Sequence, residues 1–304
     1  MSSAIRTENL VKKFRKVTAL EGVNLDVPEG AIYALVGPNG AGKTTAIKVL
    51  MNIFRATSGR AEVQGTDSTR LRGAAFTSIG YVSENQELPG WMDLRQLLAF
   101  LRPFYPTWDL GLERDLFREL DLPRDRKLSK LSRGMRMKAA MLSSLAYHPK
   151  LIVLDEPFGG LDPLVRDQLI EGLLERASEA TIFVSSHDLA EIENLASHIG
   201  YLEEGRLRFS EERAVLLERF REVELTLDDP PSLDRKWPES WMHVAASQHV
   251  LRFIESRFAS ERTSAEIRRL FGEVRGVTVS PMTLRAIFVA MARAGRPSAG
   301  GSTV

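Results

Sequence analysis

The stretch Gly37-Pro38-Asn39-Gly40-Ala41-Gly42-Lys43-Thr44-Thr45 has the composition and spacing of a phosphate cradle. Its glycines let backbone amides turn inward around phosphate oxygens, and the start of a following helix adds a field that favours an anion. Lys43 is placed to reach the β- and γ-phosphates of a nucleotide, and the Thr44 hydroxyl to ligate Mg²⁺. Further along, the apolar run Leu151-Ile152-Val153-Leu154 ends in Asp155-Glu156. A carboxylate at the C-terminal end of a strand can hold Mg²⁺, directly or through water, and the next can orient or deprotonate an attacking water. Alone, such a pair reads as surface charge; coupled to Lys43 and Thr44 it reads as a metal-assisted phosphoryl-transfer site. His187 follows the expected strand 181–185, where a side chain can reach a γ-phosphate from a neighbouring strand. His148, His198, His243 and His249 have no comparable setting and read as structural or surface residues.

These groups need a scaffold that brings strand ends together. Residues 31–36 form an apolar strand before the loop, and residues 46–51 a helix after it. Short strands are expected over residues 5–36, 60–65 and 78–82. From residue 93 the pattern turns helical: Asp93 and Gln96 have capping-box spacing, and Leu94, Leu97, Leu98 and Leu101 share a face. Further helical periodicity runs through 112–120 and 137–145, so a helical block separates two strands of the nucleotide domain. Its methionines, Met137 and Met141, read as core packing. Strands 151–154 and 181–185 alternate with helices, which argues a mostly parallel sheet covered on both faces. Residues 199–202 and 206–209 read as a closing hairpin.

The composition shifts near residue 215. Beyond it, strands are expected at 222–227, 243–246 and 277–279, and helices at 264–271 and 284–293. The fold class is therefore α/β, a P-loop NTPase core with an N-terminal antiparallel β subdomain, an inserted helical subdomain and a small C-terminal α+β module. The expected domains are residues 1–215, with the helical subdomain at about 87–150, then an accessory domain at 216–293 and a disordered tail at 294–304.

At 304 residues the chain can bury a substantial core. A net charge of +1 makes no demand for nucleic acid or an anionic membrane as partner. The absence of cysteine excludes disulfides, thiolate metal sites and a cysteine nucleophile. No apolar run approaches the roughly 18 residues of a membrane span, so membrane association is expected only through a partner.

The order of these motifs resembles the ATP-binding subunits of the ATP-binding-cassette (ABC) transporter family. The resemblance covers about residues 4–215 and rests on the loop at 37–45, Leu131-Ser132-Arg133-Gly134-Met135, Asp155-Glu156, Gly160-Leu161-Asp162 and His187. It implies a head-to-tail dimer, homo- or heterodimeric, that sandwiches ATP and Mg²⁺. Each ATP would lie between one subunit's loop and the other's Ser132 and Gly134, with Asp162 at the dimer interface and Phe14 stacked on adenine. Phe14 could equally be an ordinary strand residue. The resemblance further implies a separate transmembrane permease, driven through the loop around Glu84 to Trp91, and a place on the inner face of the cell membrane. Two positions depart from the family pattern Leu-Ser-Gly-Gly-Gln: Arg133 and Met135 replace the first Gly and the Gln. A third departure is Glu84, where the family has a Gln that touches Mg²⁺ and the attacking water; Gln86 is the alternative. The segment 280–288 resembles the tails of bacterial exporter ATPases of the drug and antibiotic-resistance type. The competing reading is a soluble ABC ATPase acting on nucleic acid or ribosomes, but the chain has neither a second cassette nor a long coiled coil. A P-loop kinase or GTPase is disfavoured, because no Asn-Lys-x-Asp motif is present and the Ser132 segment would be unexplained.

Overall fold

The computed structural model describes residues 2–232 and 236–294. The chain divides into two compact units, one ending at Glu211 and one beginning at Glu212. In the first, β1 (Ser3–Phe14) and β2 (Val17–Pro28) form one long antiparallel hairpin rather than the short strands expected. Register shifts along the pair break its alternation, which is why the sequence reads as several pieces. Then come β3 (Ile32–Val36), α1 (Lys43–Leu50), β4 (Ser58–Val63), β5 (Thr66–Asp67) and β6 (Ile79–Val82). The helical block comprises α2 (Leu94–Leu101), α3 (Leu110–Glu119) and α4 (Arg133–Leu145). After it the chain runs through β7 (Leu151–Asp155), α5 (Pro163–Arg176), β8 (Thr181–Ser186), α6 (Leu189–Ile192), β9 (His198–Glu203) and β10 (Arg206–Glu212).

Two sheets result, one of order β2-β1-β4-β5 and one of order β10-β9-β3-β8-β7-β6. In the second, β3 runs parallel to β8 and β9, and β7 runs parallel to β6 and β8. Strands β3, β7 and β8 are buried along their whole length, as the apolar runs 32–36, 151–154 and 182–184 at their centres require. Ile47 and Leu50 of α1 join Leu10, Leu25 and Val63 of the antiparallel sheet in one core, with Leu35 and Phe183 from the parallel sheet. The helical block opens on the expected capping box: Asp93 accepts from the Gln96 amide, and Gln96 reaches back to the Asp93 amide.

The second unit contains α7 (Arg213–Arg219), β11 (Arg221–Thr226), β12 (Trp241–Ser247), β13 (Val250–Glu255), α8 (Ser260–Phe271), β14 (Gly276–Pro281) and α9 (Leu284–Ala294). Its sheet has the order β12-β13-β11-β14. Neither α7 nor β13 is anticipated from sequence. The turn between β12 and β13 bends at Gln248, φ 49°, without the Asn-Gly signal that marks a tight hairpin. Glu255, fully buried at the end of β13, further masks the apolar alternation of Leu251 and Phe253. Apart from Ala294, which ends α9, the tail expected at 294–304 lies outside the described residues.

Candidate functional site

Parallel pairing of β3 with β8 and of β8 with β7 puts three strand ends side by side. The loop 37–42 leaves β3 and delivers Lys43 to the first turn of α1. This works because Gly42 caps the helix at φ 108°, a left-handed conformation where a Cβ would also overlap the Ala19 carbonyl oxygen. The Lys43 ammonium has three donors, and three partners surround it. Nζ donates to Gly37 O at 2.7 Å and Pro38 O at 3.3 Å, and lies 3.0 Å from Glu156 Oε1. Both side chains of this ion pair are more than nine-tenths buried, so it is strong when intact and costly to break on one side only.

Thr44 Oγ1 donates to Asp155 Oδ1 at 3.0 Å. Burial, before any other influence, pushes the Asp155 carboxyl above the usual carboxylate range. Hydrogen bonds from Ser185 and Thr44 pull it back, and the charges of Glu156 and Glu84 push it up again. The like charges of Glu156 and Glu84 acting on Asp155 are a repulsion that a hard cation relieves.

Glu156 adopts φ 50°, unusual for a side chain of its size and a conformation that costs about 1–3 kcal/mol. From this position its carboxylate reaches both the loop after β3 and the residue after β8. Oε1 meets Lys43, while Oε2 lies 2.7 Å from His187 Nδ1 and accepts from the His187 amide at 3.3 Å. The hydrogen bond to Glu156 is the main reason the His187 imidazole holds its proton above its usual 6.5. Ser185 secures both carboxylate residues: its Oγ donates to Asp155 Oδ1 at 2.8 Å and accepts from the Glu156 amide at 3.0 Å. Sequence reading missed Ser185. Its one signal in the sequence is a hydroxyl at the end of an expected strand, and only the β7–β8 register sets it, fully buried, opposite Asp155.

A cleft of about 430 Å³ opens over these groups, lined by Asn39, Gly40, Ala41, Gly42, Lys43, Thr44, Thr45, Glu84 and Glu156. Val17, Thr18 and Ala19 wall it on one side, and Glu204 and Gly205 of the β9–β10 turn on another. Of the two candidates near residue 85, Glu84 enters the cleft. Gln86 instead folds its side-chain oxygen onto the Ser83 amide and hydroxyl at 3.1 and 3.2 Å. Phe14 is not among the lining residues. It packs edge-on against Phe54 with centroids 5.4 Å apart, beneath the Lys12 ammonium at 4.7 Å.

Ser132, Gly134 and Asp162 lie apart from the cleft. Ser132 caps α4 by accepting from the Met135 amide at 3.2 Å, and Asp162 caps α5 by accepting from Val165 at 3.0 Å. Both are exposed. Gly134 packs closely on α5: a Cβ there would stand 3.4 Å from Val165 Cγ1. Among the described residues no cluster of three or more His, Cys, Asp or Glu forms a metal site, and no helix is long and apolar enough to cross a membrane. Two-donor sets such as Thr44 and Asp155 still suit Mg²⁺, which keeps waters and takes its remaining oxygens from phosphates.

Known proteins are similar to this chain. The ABC transporter family model matches residues 20–159. The bacitracin transport ATP-binding protein BcrA of Enterococcus faecalis is 35% identical over 215 residues, covering 68% of this chain and 68% of that protein. The lantibiotic transport ATP-binding protein SrtF of Streptococcus pyogenes is also 35% identical over 215 residues, covering 68% of this chain and 90% of that one. Among solved structures, an ATP-binding subunit of an ABC transporter superposes with a TM-score of 0.66 at 26% identity, over 71% of this chain and 92% of that chain. With the phosphate loop, the Asp155-Glu156 strand end and this likeness agreeing, the chain belongs to the ATP-binding-cassette transporter family, as one of its ATP-binding, ATP-hydrolysing subunits.

Proposed function

We propose that the chain powers a separate membrane permease, most consistently for export, by hydrolysing MgATP at a site it shares with a second nucleotide-binding subunit. The observation that carries this reading is the convergence of Lys43, Thr44, Asp155, Glu156 and His187 on three adjacent strand ends. The loop amides and Lys43 grip the β- and γ-phosphates, exchanging the lysine's internal carbonyl partners for phosphate oxygens. Thr44 and Asp155 hold Mg²⁺, with Glu84 reaching the same cleft. When bound there, Mg²⁺ neutralises charge on the phosphate oxygens and orients them. Glu156 accepts the proton of the attacking water, and His187 fixes that carboxylate and faces the γ-phosphate. Ser132 and Gly134 of the second subunit, the same chain or a related one, offer donors from the N-terminus of α4 across the interface, where Asp162 also lies.

The helical block, read as residues 87–150, passes closure of the dimer to the permease. Residues 216–293 form an accessory module for dimerisation or regulation. The subunit sits on the cytoplasmic face of the membrane through its permease. Export is supported by the likeness to proteins named for bacitracin and lantibiotic transport, and the cargo class that likeness favours is a peptide antibiotic. Isolation of the tagged chain from membranes tests the reading. A multi-span membrane protein should co-purify, and loss of the chain should sensitise cells to such antibiotics. Recovery with nucleic acid or ribosomes instead would overturn it.

A further inference from the structure

Two of the departures from the family pattern meet in space. Arg133 Nη2 stands 3.7 Å from Glu84 Oε1, with the two side chains 48% and 43% exposed. Arg133 is the first residue of α4, where the helix dipole opposes a cation, and the first turn contains no acidic residue to offset it. Its favourable partner must therefore come from outside the helix. The guanidinium also lies on the turn that follows Glu156. A Cβ at Gly160, φ 68°, would be 2.7 Å from Arg133 Nη1. One side chain thus touches Glu84, which lines the nucleotide cleft, and the loop joining Glu156 to Asp162, while its backbone adjoins Ser132.

Glu84 has two claims on it, Arg133 on one side and the cation-binding side of the cleft on the other. The ion pair is loose and solvated. Pairs of that kind shift an equilibrium by no more than about five-fold, so this one yields readily to a divalent cation. We propose that Arg133 is a positioning residue that competes with the bound cation for Glu84, so that filling of the cleft is registered at the N-terminus of α4, beside Ser132. Capture of Glu84 by the cation releases the guanidinium from its resting place over Gly160 and changes the charge presented next to the group offered to the partner's nucleotide. The inference rests on the reading of Glu84 as a cation-facing residue.

Calorimetric titration of the full chain with ADP tests it, in one arm with Mg²⁺ and in the other with EDTA. Arg133→Gln removes the charge but keeps most of the length, and Arg133→Gly restores the family residue, so one of the two remains informative if the other folds poorly. Either substitution should tighten MgADP binding about two- to five-fold and leave metal-free ADP binding unchanged. In a Glu84→Ala background neither should have any effect. The proposal is overturned if Arg133→Gln changes both arms alike, changes neither, or acts equally with and without Glu84. The source of failure is readable from Glu84→Ala alone. If that variant leaves the Mg²⁺ contribution to ADP binding unaltered, Glu84 does not serve the cation and both readings fall. If it weakens that contribution while Arg133→Gln does nothing, only the competition falls.

Discussion

Replacing Glu156 by Gln exchanges one carboxylate oxygen for an amide and removes a buried charge held between Lys43 at 3.0 Å and His187 at 2.7 Å. Two separable effects follow. On stability, each charged partner loses the difference between a charge-assisted and a neutral hydrogen bond, about 1 kcal/mol, so the total loss is about 2 kcal/mol. Lys43 keeps its bonds to the Gly37 and Pro38 carbonyls, which prevents the larger loss of a fully orphaned ammonium. For a unit of this size, 2 kcal/mol lowers the melting temperature by about 4–8 °C. On catalysis, removing a general base costs about 10²–10⁴-fold, or about 3–5 kcal/mol at 1.36 kcal/mol per decade. The phosphate grip is untouched, so MgATP binding should stay within about three-fold of the parent, whereas phosphate release at saturating ATP should collapse. Steady-state phosphate release, with calorimetric ATP binding and a thermal melt on the same preparation, separates the effects. Hydrolysis within ten-fold of the parent, at intact binding, would refute Glu156 as the base.

Ser132→Ala should leave nucleotide binding to the monomer unchanged and slow hydrolysis by about 10²-fold, the loss of one transition-state donor; an unaltered rate removes the case for a site completed in trans. Ser185→Ala strips the Glu156 amide of its acceptor and Asp155 of a donor in a fully buried setting. It should cost about 2–3 kcal/mol, read as a lower melting temperature, and should raise the Mg²⁺ concentration needed for half-maximal turnover. The His187 imidazole, followed by its NMR shift, should titrate above 6.5 and move down in Glu156→Gln, because the Glu156 hydrogen bond is the leading cause of the raised value. A folded pKa above the unfolded one means that this contact adds stability below about pH 6.5 and loses it as pH rises through the folded value. Its side chain is 44% exposed, so solvent screens the contribution and it stays modest. A His187 signal with the same midpoint in both proteins would break the assigned link to Glu156.

The phosphate loop, the Asp155-Glu156 strand end and the capping box at Asp93 were legible because each is local. A strand, a turn and a helix in succession carry all the geometry such a motif needs, and the residue types that allow it are adjacent in the chain. The mostly parallel sheet was legible for a similar reason, since a strand buried on both faces announces itself as an unbroken apolar run. What periodicity does not encode is which strand lies next to which, and in what register. The Thr44 hydroxyl and Asp155 are 111 positions apart, and Ser185 and Asp155 are 30 apart, so their contacts depend on the order β3-β8-β7 and on the pairing of Asp155 with Ser185. Tertiary structure also separated Glu84 from Gln86, because a side-chain oxygen that finds the Ser83 amide nearby folds back onto it. It put Phe14 on Phe54 instead of in the cleft wall. It brought Arg133 to Glu84, a pairing of two long side chains 49 positions apart that no spacing along the chain could express.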